Sequence, residues 1–376
     1  MIVQSATRPP SPRREHELAA LRAAVRWGAA DPEVVDAIAV RLRDGDGGAW
    51  VQEWTAAGGE AWASARSADT ASMYLHAASC YAAALALIDQ GDGWVDEDRL
   101  WERQRECWDR AVERVGGERL SIAYEQTTLP GYFFSGGSGA RPLVVIDHGG
   151  RVATSVAWTT GGAAATARGC HWMTFDGPGR QAALRRQGLV LRPDWEAVLT
   201  PVLDAMVARP DIDRERVVVV GIDHAGYGVH RALALERRFA AAVVAPGVVD
   251  ASGPLMETLP PPARTALEDG DRESFDRELH LVALFDPEIH DRLRRLGREY
   301  DQSGVPLYDV SQRIARFRLG EELAQIATPM LVCPTGPEPS WAIQAEDLCA
   351  RAPGAEQLRC DGPDDECVWD WLDQFL

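Results

Sequence analysis

The chain has 376 residues, 46% of them hydrophobic, with 39 Lys and Arg against 57 Asp and Glu for a formal net charge of −18. That length can bury a large core, in one big domain or two smaller ones, and such acidity excludes the electrostatics by which proteins hold nucleic acid or anionic membranes. No apolar run reaches the roughly 20 residues of a membrane span, and Met1 to Arg14 lacks the apolar stretch of a secretory signal. A cytoplasmic protein acting on a small molecule is therefore expected. The seven cysteines are scattered and free of C-x-x-C spacing, which predicts reduced thiols, and neither a metal nor a cofactor is expected.

In chain order, residues 1–14 are rich in Pro, Arg and Ser and read as a disordered tail. Residues 15–116 read as a helical N-terminal domain of four or five helices. Leu18, Leu21, Ala24 and Val25 recur at helical spacing, as do Val34, Val35 and Ile38; Met73–Ile88 and Leu100–Val115 repeat the pattern, with Asp96 or Asp98 as N-cap. Such a unit is a scaffold or a lid over an active site, and it offers a surface for a homodimer. Over residues 117–250 strands alternate with helices. Leu120–Tyr124 and Leu129–Phe134 form a pair; Pro142–Ile146, Trp172–Phe175, Val217–Ile222 and Phe239–Val244 follow, with helices at Thr154–Arg168, Asp194–Ala208 and Tyr227–Arg238. This alternation predicts a mostly parallel central sheet wrapped by helices on both faces. It stops over residues 251–320, a helical insertion that suits a cap over the carboxyl ends of the strands. Residues 321–376 resume it, with strands Pro329–Cys333 and Gln357–Cys360 and helices Trp341–Ala350 and Cys367–Phe375.

The run Val217 to Val220 is too apolar for an edge strand, and it leads into Gly221-Ile222-Asp223-His224-Ala225-Gly226 ahead of a helix. This is the frame of a nucleophile elbow, G-x-S-x-G, in which a strained turn lifts one side chain above the sheet. Here the serine is Asp223, and Ala225 stands where the second motif glycine belongs.

The elbow has company: Thr128-Leu-Pro-Gly-Tyr132, His148-Gly-Gly150, Phe175-Asp-Gly-Pro-Gly179 and Asp211-Ile-Asp-Arg-Glu-Arg-Val217. With these segments the chain from about Ser72 onward resembles the α/β-hydrolase fold, and within it the group containing 2,6-dihydroxypseudooxynicotine hydrolase and the FrsA-type esterases. The resemblance implies an α/β architecture with a helical N-terminal domain and a helical cap insertion. It also implies a Ser, an acid after a late strand and a His near the end. All three positions depart from that pattern. Asp223 replaces the serine, the loop after Cys333 offers only Glu338, and Asp361 to Cys367 holds no histidine, the last of which is His290.

A carboxyl raised on an elbow below an apolar cap is expected to have an elevated pKa through desolvation. Asp223 would then move protons near neutral pH, with His148 or His224 assisting. Main-chain N–H groups of His224 and of Gly150 or Arg151 would stabilise an enolate oxygen, with Gly149 and Tyr227 as further oxyanion or substrate-binding residues. That chemistry suits a cyclase, lyase, decarboxylase or carbon–carbon bond hydrolase acting on a small carbonyl compound, polyketide-like or aromatic. Two alternatives stay open. Asp223 resembles the nucleophile of haloalkane dehalogenases and epoxide hydrolases, which would require His148, His224, His280 or His290 to activate water. A pseudoenzyme would keep the pocket without turnover, Asp223 merely bonding the amides at its helix start.

Overall fold

The structure, a computed structural model, describes residues 12–42, 47–90, 96–301, 304–335, 339–360 and 362–376. Glu338, the candidate acid, lies outside the described residues, as do residues 1–11. The expected tail is corrected at its end, because helix α1 (Pro12–Arg26) begins inside it. Four further helices follow: α2 (Pro32–Arg41), α3 (Gly47–Ala68), α4 (Ala71–Ala86) and α5 (Glu97–Val115). Local chemistry sets their ends. The Asp31 carboxylate accepts from the N–H groups of Glu33 and Val34, with Pro32 opening the first turn; Asp96 does the same for Asp98 and Arg99; Gly116, at φ 75°, closes α5 in the left-handed conformation. Leu100, Gln104, Cys107, Trp108 and Ala111 form the buried face of α5 at helical spacing.

Eight strands make one sheet. They are β1 (Glu118–Tyr124), β2 (Thr127–Phe134), β3 (Arg141–His148), β4 (His171–Phe175), β5 (Ile212–Ile222), β6 (Ala241–Ala245), β7 (Met330–Val332) and β8 (Ala355–Gln357), in the order β1-β2-β4-β3-β5-β6-β7-β8. The β1/β2 and β2/β4 ladders are antiparallel and all others parallel. Successive side chains of a strand point to opposite faces, and the valine run divides accordingly. Val217 and Val219 pack with α8 (Glu196–Val207), α9 (Ala225–Leu233) and the helical insertion, while Val218 and Val220 pack with α2 to α5. Both faces are covered, which is why the strand reads as continuously apolar.

The remaining helices are α6 (Ala163–Ala167), α7 (Gln181–Gln187), α10 (Gly253–Thr258), α11 (Pro261–Glu268), α12 (Arg272–Ala283), α13 (Ile289–Gly297), α14 (Leu307–Ile314), α15 (Pro339–Arg351) and α16 (Glu366–Leu372). The long helix expected over Thr154–Arg168 is instead a π-helical turn, Trp158–Gly162, followed by short α6, because Gly161 leaves helical geometry at φ 165°. Buried polar contacts join α5 to the sheet loops. Arg105 pairs with Asp176 at 2.8 Å and donates to Thr154 Oγ1 at 2.8 Å, and Gln104 Nε2 donates to Ser155 Oγ at 2.7 Å. Among the described residues, no helix is long and apolar enough to cross a membrane.

Candidate active site

Strand β5 ends at Ile222, and Asp223 turns at φ 59°. Its N–H bonds Ala245 O at 2.8 Å and its carbonyl accepts from the Gly226 N–H at 3.0 Å. A non-glycine residue in this left-handed region costs about 1 kcal/mol, a strain that persists where the surroundings over-determine it. The turn places the Asp223 side chain on the wall of a cavity of about 860 Å³. The helix after the elbow has His224 as its N-cap, and no side-chain bond caps it. Asp223 is therefore not occupied as a helix cap.

His224 also lines the cavity, with Nδ1 3.3 Å from Asp223 Oδ1. Its ring meets Trp341 edge to face, centroids 5.6 Å apart, which fixes its plane. Burial alone would raise the Asp223 carboxyl, but His224, helped by Arg13 and His16, holds it below the ordinary 3.8. Burial opposes charge on His224 too, yet Asp223 lifts it above the ordinary 6.5. The expectation of an elevated Asp223 pKa is thereby corrected: the sequence shows a carboxyl in an apolar setting but not the imidazole turned toward it. Each partner thus favours the charged form of the other.

The Gly149-Gly150 loop after β3 packs behind the lining, against the Asp223 and Glu299 side chains. A Cβ at residue 149 would lie 2.4 Å from Asp223 Oδ2, so a larger residue there would push the carboxylate aside. The Gly149 N–H is committed to Ile222 O at 2.9 Å and is no oxyanion donor. Arg151 lines the cavity and ties three parts together: it pairs with Asp89 at 3.1 Å and Glu299 at 3.5 Å, and donates to Arg295 O at 2.9 Å.

Other predicted residues lie elsewhere. His148 is 1% exposed and off the cavity, with Nδ1 3.4 Å from Gly149 O. Burial pushes its pKa down to about 4, so it is a neutral core histidine. Alternation does not account for this, because His148 is in register with Ile222, which lines the cavity, while its own ring stays buried off it. Tyr227 is buried against Phe317 and donates to Pro193 O at 3.4 Å. His280 on α12 and His290 on α13 do not reach the cavity wall.

Sequence reasoning missed a whole wall. Helix α1 contributes Arg13, His16, Glu17, Ala20 and Ala24, a helical i, i+3, i+4, i+7, i+11 spacing that starts inside the stretch expected to be a tail. Burial lowers the His16 pKa and pushes Glu17 up to about 7. Asp364, in the loop where a terminal histidine was expected, lines the cavity and accepts from Trp27 Nε1 at 3.3 Å. Glu299 and Tyr300 enter from the segment after α13.

No family model matches the chain. It is 33% identical over 230 residues to the hydrolase acrC of Aspergillus aculeatus, covering 53% of each chain. It is 30% identical over 231 residues to the alpha/beta hydrolase psoB of Aspergillus fumigatus, covering 55% of this chain and 52% of that one. The chain thus spans about half the length of the curated relatives it matches. Among solved structures it is similar to 2,6-dihydroxy-pseudo-oxynicotine hydrolase, with a TM-score of 0.66 at 18% identity over 94% of this chain and 95% of that one.

Proposed function

We propose that this chain, which has the α/β-hydrolase fold, is an enzyme that moves protons on a small carbonyl-containing metabolite through its Asp223–His224 pair, as a lyase, cyclase, decarboxylase or carbon–carbon bond hydrolase. One observation carries this reading: the strained elbow residue presents a carboxylate 3.3 Å from His224 Nδ1, and both side chains line the same cavity. Asp223 holds the proton on Nδ1 and orients the ring, which leaves Nε2 for the substrate. The carboxylate and imidazole of a hydrolase triad are thus brought onto the elbow itself, in place of the serine. His224 is the group that exchanges a proton with substrate, and Asp223 acts through it.

Titration of the two side chains by carbon-13 NMR tests the pair. Asp223 is expected to titrate below 3.8 and His224 above 6.5, as one coupled unit. The working form therefore exists between those limits, and turnover falls as pH rises through the elevated His224 pKa. A carboxyl titrating above 3.8 beside a ring titrating below 6.5 would remove the pair from the mechanism.

A second reading has one observation in its favour, the ionised state of Asp223 at the elbow. Attack by that carboxylate on carbon would leave an ester on Asp223, visible as a covalent adduct by mass spectrometry. Placement of the carboxylate also depends on its glycine seat. Gly149→Ala puts a methyl group 2.4 Å from Oδ2, and a displacement on the order of 1 Å lowers turnover by about 10²-fold. Wild-type turnover in that variant would show that the loop does not position Asp223.

A further inference from the structure

Gly149 and Gly150 back two cavity-lining carboxyl groups. Asp223 lies against Gly149, and Glu299 lies against Gly150, where a Cβ would be 2.3 Å from its Oε2 and 2.4 Å from its Cδ. The two seats are neighbouring Cα atoms, about 3.8 Å apart. Glu299 lines the cavity, and its main chain is pinned by the Leu191 N–H, which donates to Glu299 O at 2.7 Å. Its role is additional to that of the Asp223–His224 pair and rests on it.

We infer that Glu299 is the base that works with the His224 acid, taking a proton from the carbon beside the substrate carbonyl while His224 protonates the departing oxygen, so that the site eliminates water from a β-hydroxy carbonyl compound. In this step the C–H electron pair becomes the new C=C bond. The Cβ–O bond breaks with its pair going to oxygen, which takes the His224 proton and leaves as water. Glu299 ends protonated and His224 neutral, and exchange with solvent restores both. No oxidant or reductant is needed.

The surroundings of Glu299 suit a base. Burial raises its pKa above the ordinary 4.5, against Arg151 and His224 and with the Asp223 charge adding to the rise. Arg151 does not cancel this, because its guanidinium stands closer to Asp89, at 3.1 Å against 3.5 Å. Asp89 is the carboxyl held down, by Arg13 and Arg151 against burial. Arg180 also acts on Glu299 from the core, Tyr300 adjoins it, and His16 and Glu17 face the same cavity from α1. A carboxylate with an elevated pKa is a stronger base than an ordinary one. An acid and a base held in different environments can each take a defined role.

Exchange of the methyl protons of acetophenone into D2O, followed by proton NMR with the full chain, tests the base without requiring a leaving group. The wild type is expected to exchange at a rate that rises with pH through a carboxyl pKa above 4.5. Glu299→Gln lowers the rate by about 10²- to 10⁴-fold and removes that limb; Glu299→Asp restores the limb at a reduced rate. Wild-type exchange in Glu299→Gln, or none above buffer in the wild type, overturns the proposal. Asp223→Asn separates it from the reading on which it rests. If exchange survives Glu299→Gln but is lost in Asp223→Asn, the pair stands and Glu299 is not the base; if both variants exchange normally, both ideas fall.

Discussion

Asp223→Asn is expected to cut turnover by about 10³- to 10⁴-fold while leaving the fold intact. Asparagine tolerates the left-handed region that residue 223 occupies at φ 59°, so the elbow keeps its shape. What changes is the proton on His224. Burial, the largest influence on that ring, pushes its pKa down, and the Asp223 carboxylate is what reverses the sign. With a neutral amide 3.3 Å away instead, the imidazolium loses its partner and the ring is free to adopt the wrong tautomer. The alkaline limb of the pH–rate profile should therefore move to lower pH, together with the fall in rate. Denaturant unfolding should report a stability change within about 1 kcal/mol, since no cavity is created and the ring, whose pKa burial pushes down, gives up its proton instead of staying charged without a partner. An asparagine variant with wild-type turnover, or with lost turnover and an unmoved alkaline limb, would take Asp223 out of the role of holding the His224 proton.

The parts of this site that were legible in the sequence are those fixed by local pattern. A valine run ending in a glycine turn before a helix announces a buried strand and an elbow, and the structure has both, with β5 ending at Ile222 and α9 starting at Ala225. The parts that were not legible depend on which distant segments meet. Glu299 lies 76 residues past Asp223 in the numbering, and no spacing connects them until Gly149 and Gly150 bring the two carboxyls together. Helix α3, with Trp50, Trp54, Ala61 and Ala65 buried, carries an apolar face built largely from alanine and tryptophan, a weaker signal than the branched aliphatics that marked α2. The sign of the Asp223 shift was hidden for a further reason. Burial and the neighbouring imidazole act in opposite directions, and the winner is set by one 3.3 Å distance.

The second large effect concerns what holds the Gly149-Gly150 loop in place. Asp147 precedes His148, Gly149 and Gly150, and its carboxylate is fully buried against Arg180, whose side chain is 2% exposed. Asp147 Oδ2 also accepts from Trp195 Nε1 at 2.7 Å, and the Arg180 guanidinium stacks over the Trp195 ring at 4.0 Å. Taking one partner from a buried ion pair leaves an uncompensated charge, so Arg180→Met is expected to cost about 3 to 5 kcal/mol in urea unfolding at pH 8. The pH dependence follows from the sign of the shift. Burial already pushes the Asp147 pKa above 3.8, with Arg180 opposing it, and without Arg180 it rises further. A carboxyl with a raised folded pKa is tolerated when protonated and penalised when ionised. The deficit of Arg180→Met should therefore be largest at high pH and shrink as the pH falls through the folded Asp147 pKa. Adding Asp147→Asn should recover part of the loss, since the charge left behind is what costs most. A deficit below about 1 kcal/mol, or one independent of pH, would mean the pair contributes little to the fold. The measurement reaches the chemistry as well, because the chain that leaves Asp147 is the same chain that seats the Asp223 and Glu299 carboxyls two and three residues later. Turnover in Arg180→Met should fall even under conditions where the variant remains folded, since a shifted Gly149-Gly150 loop misplaces both groups at once.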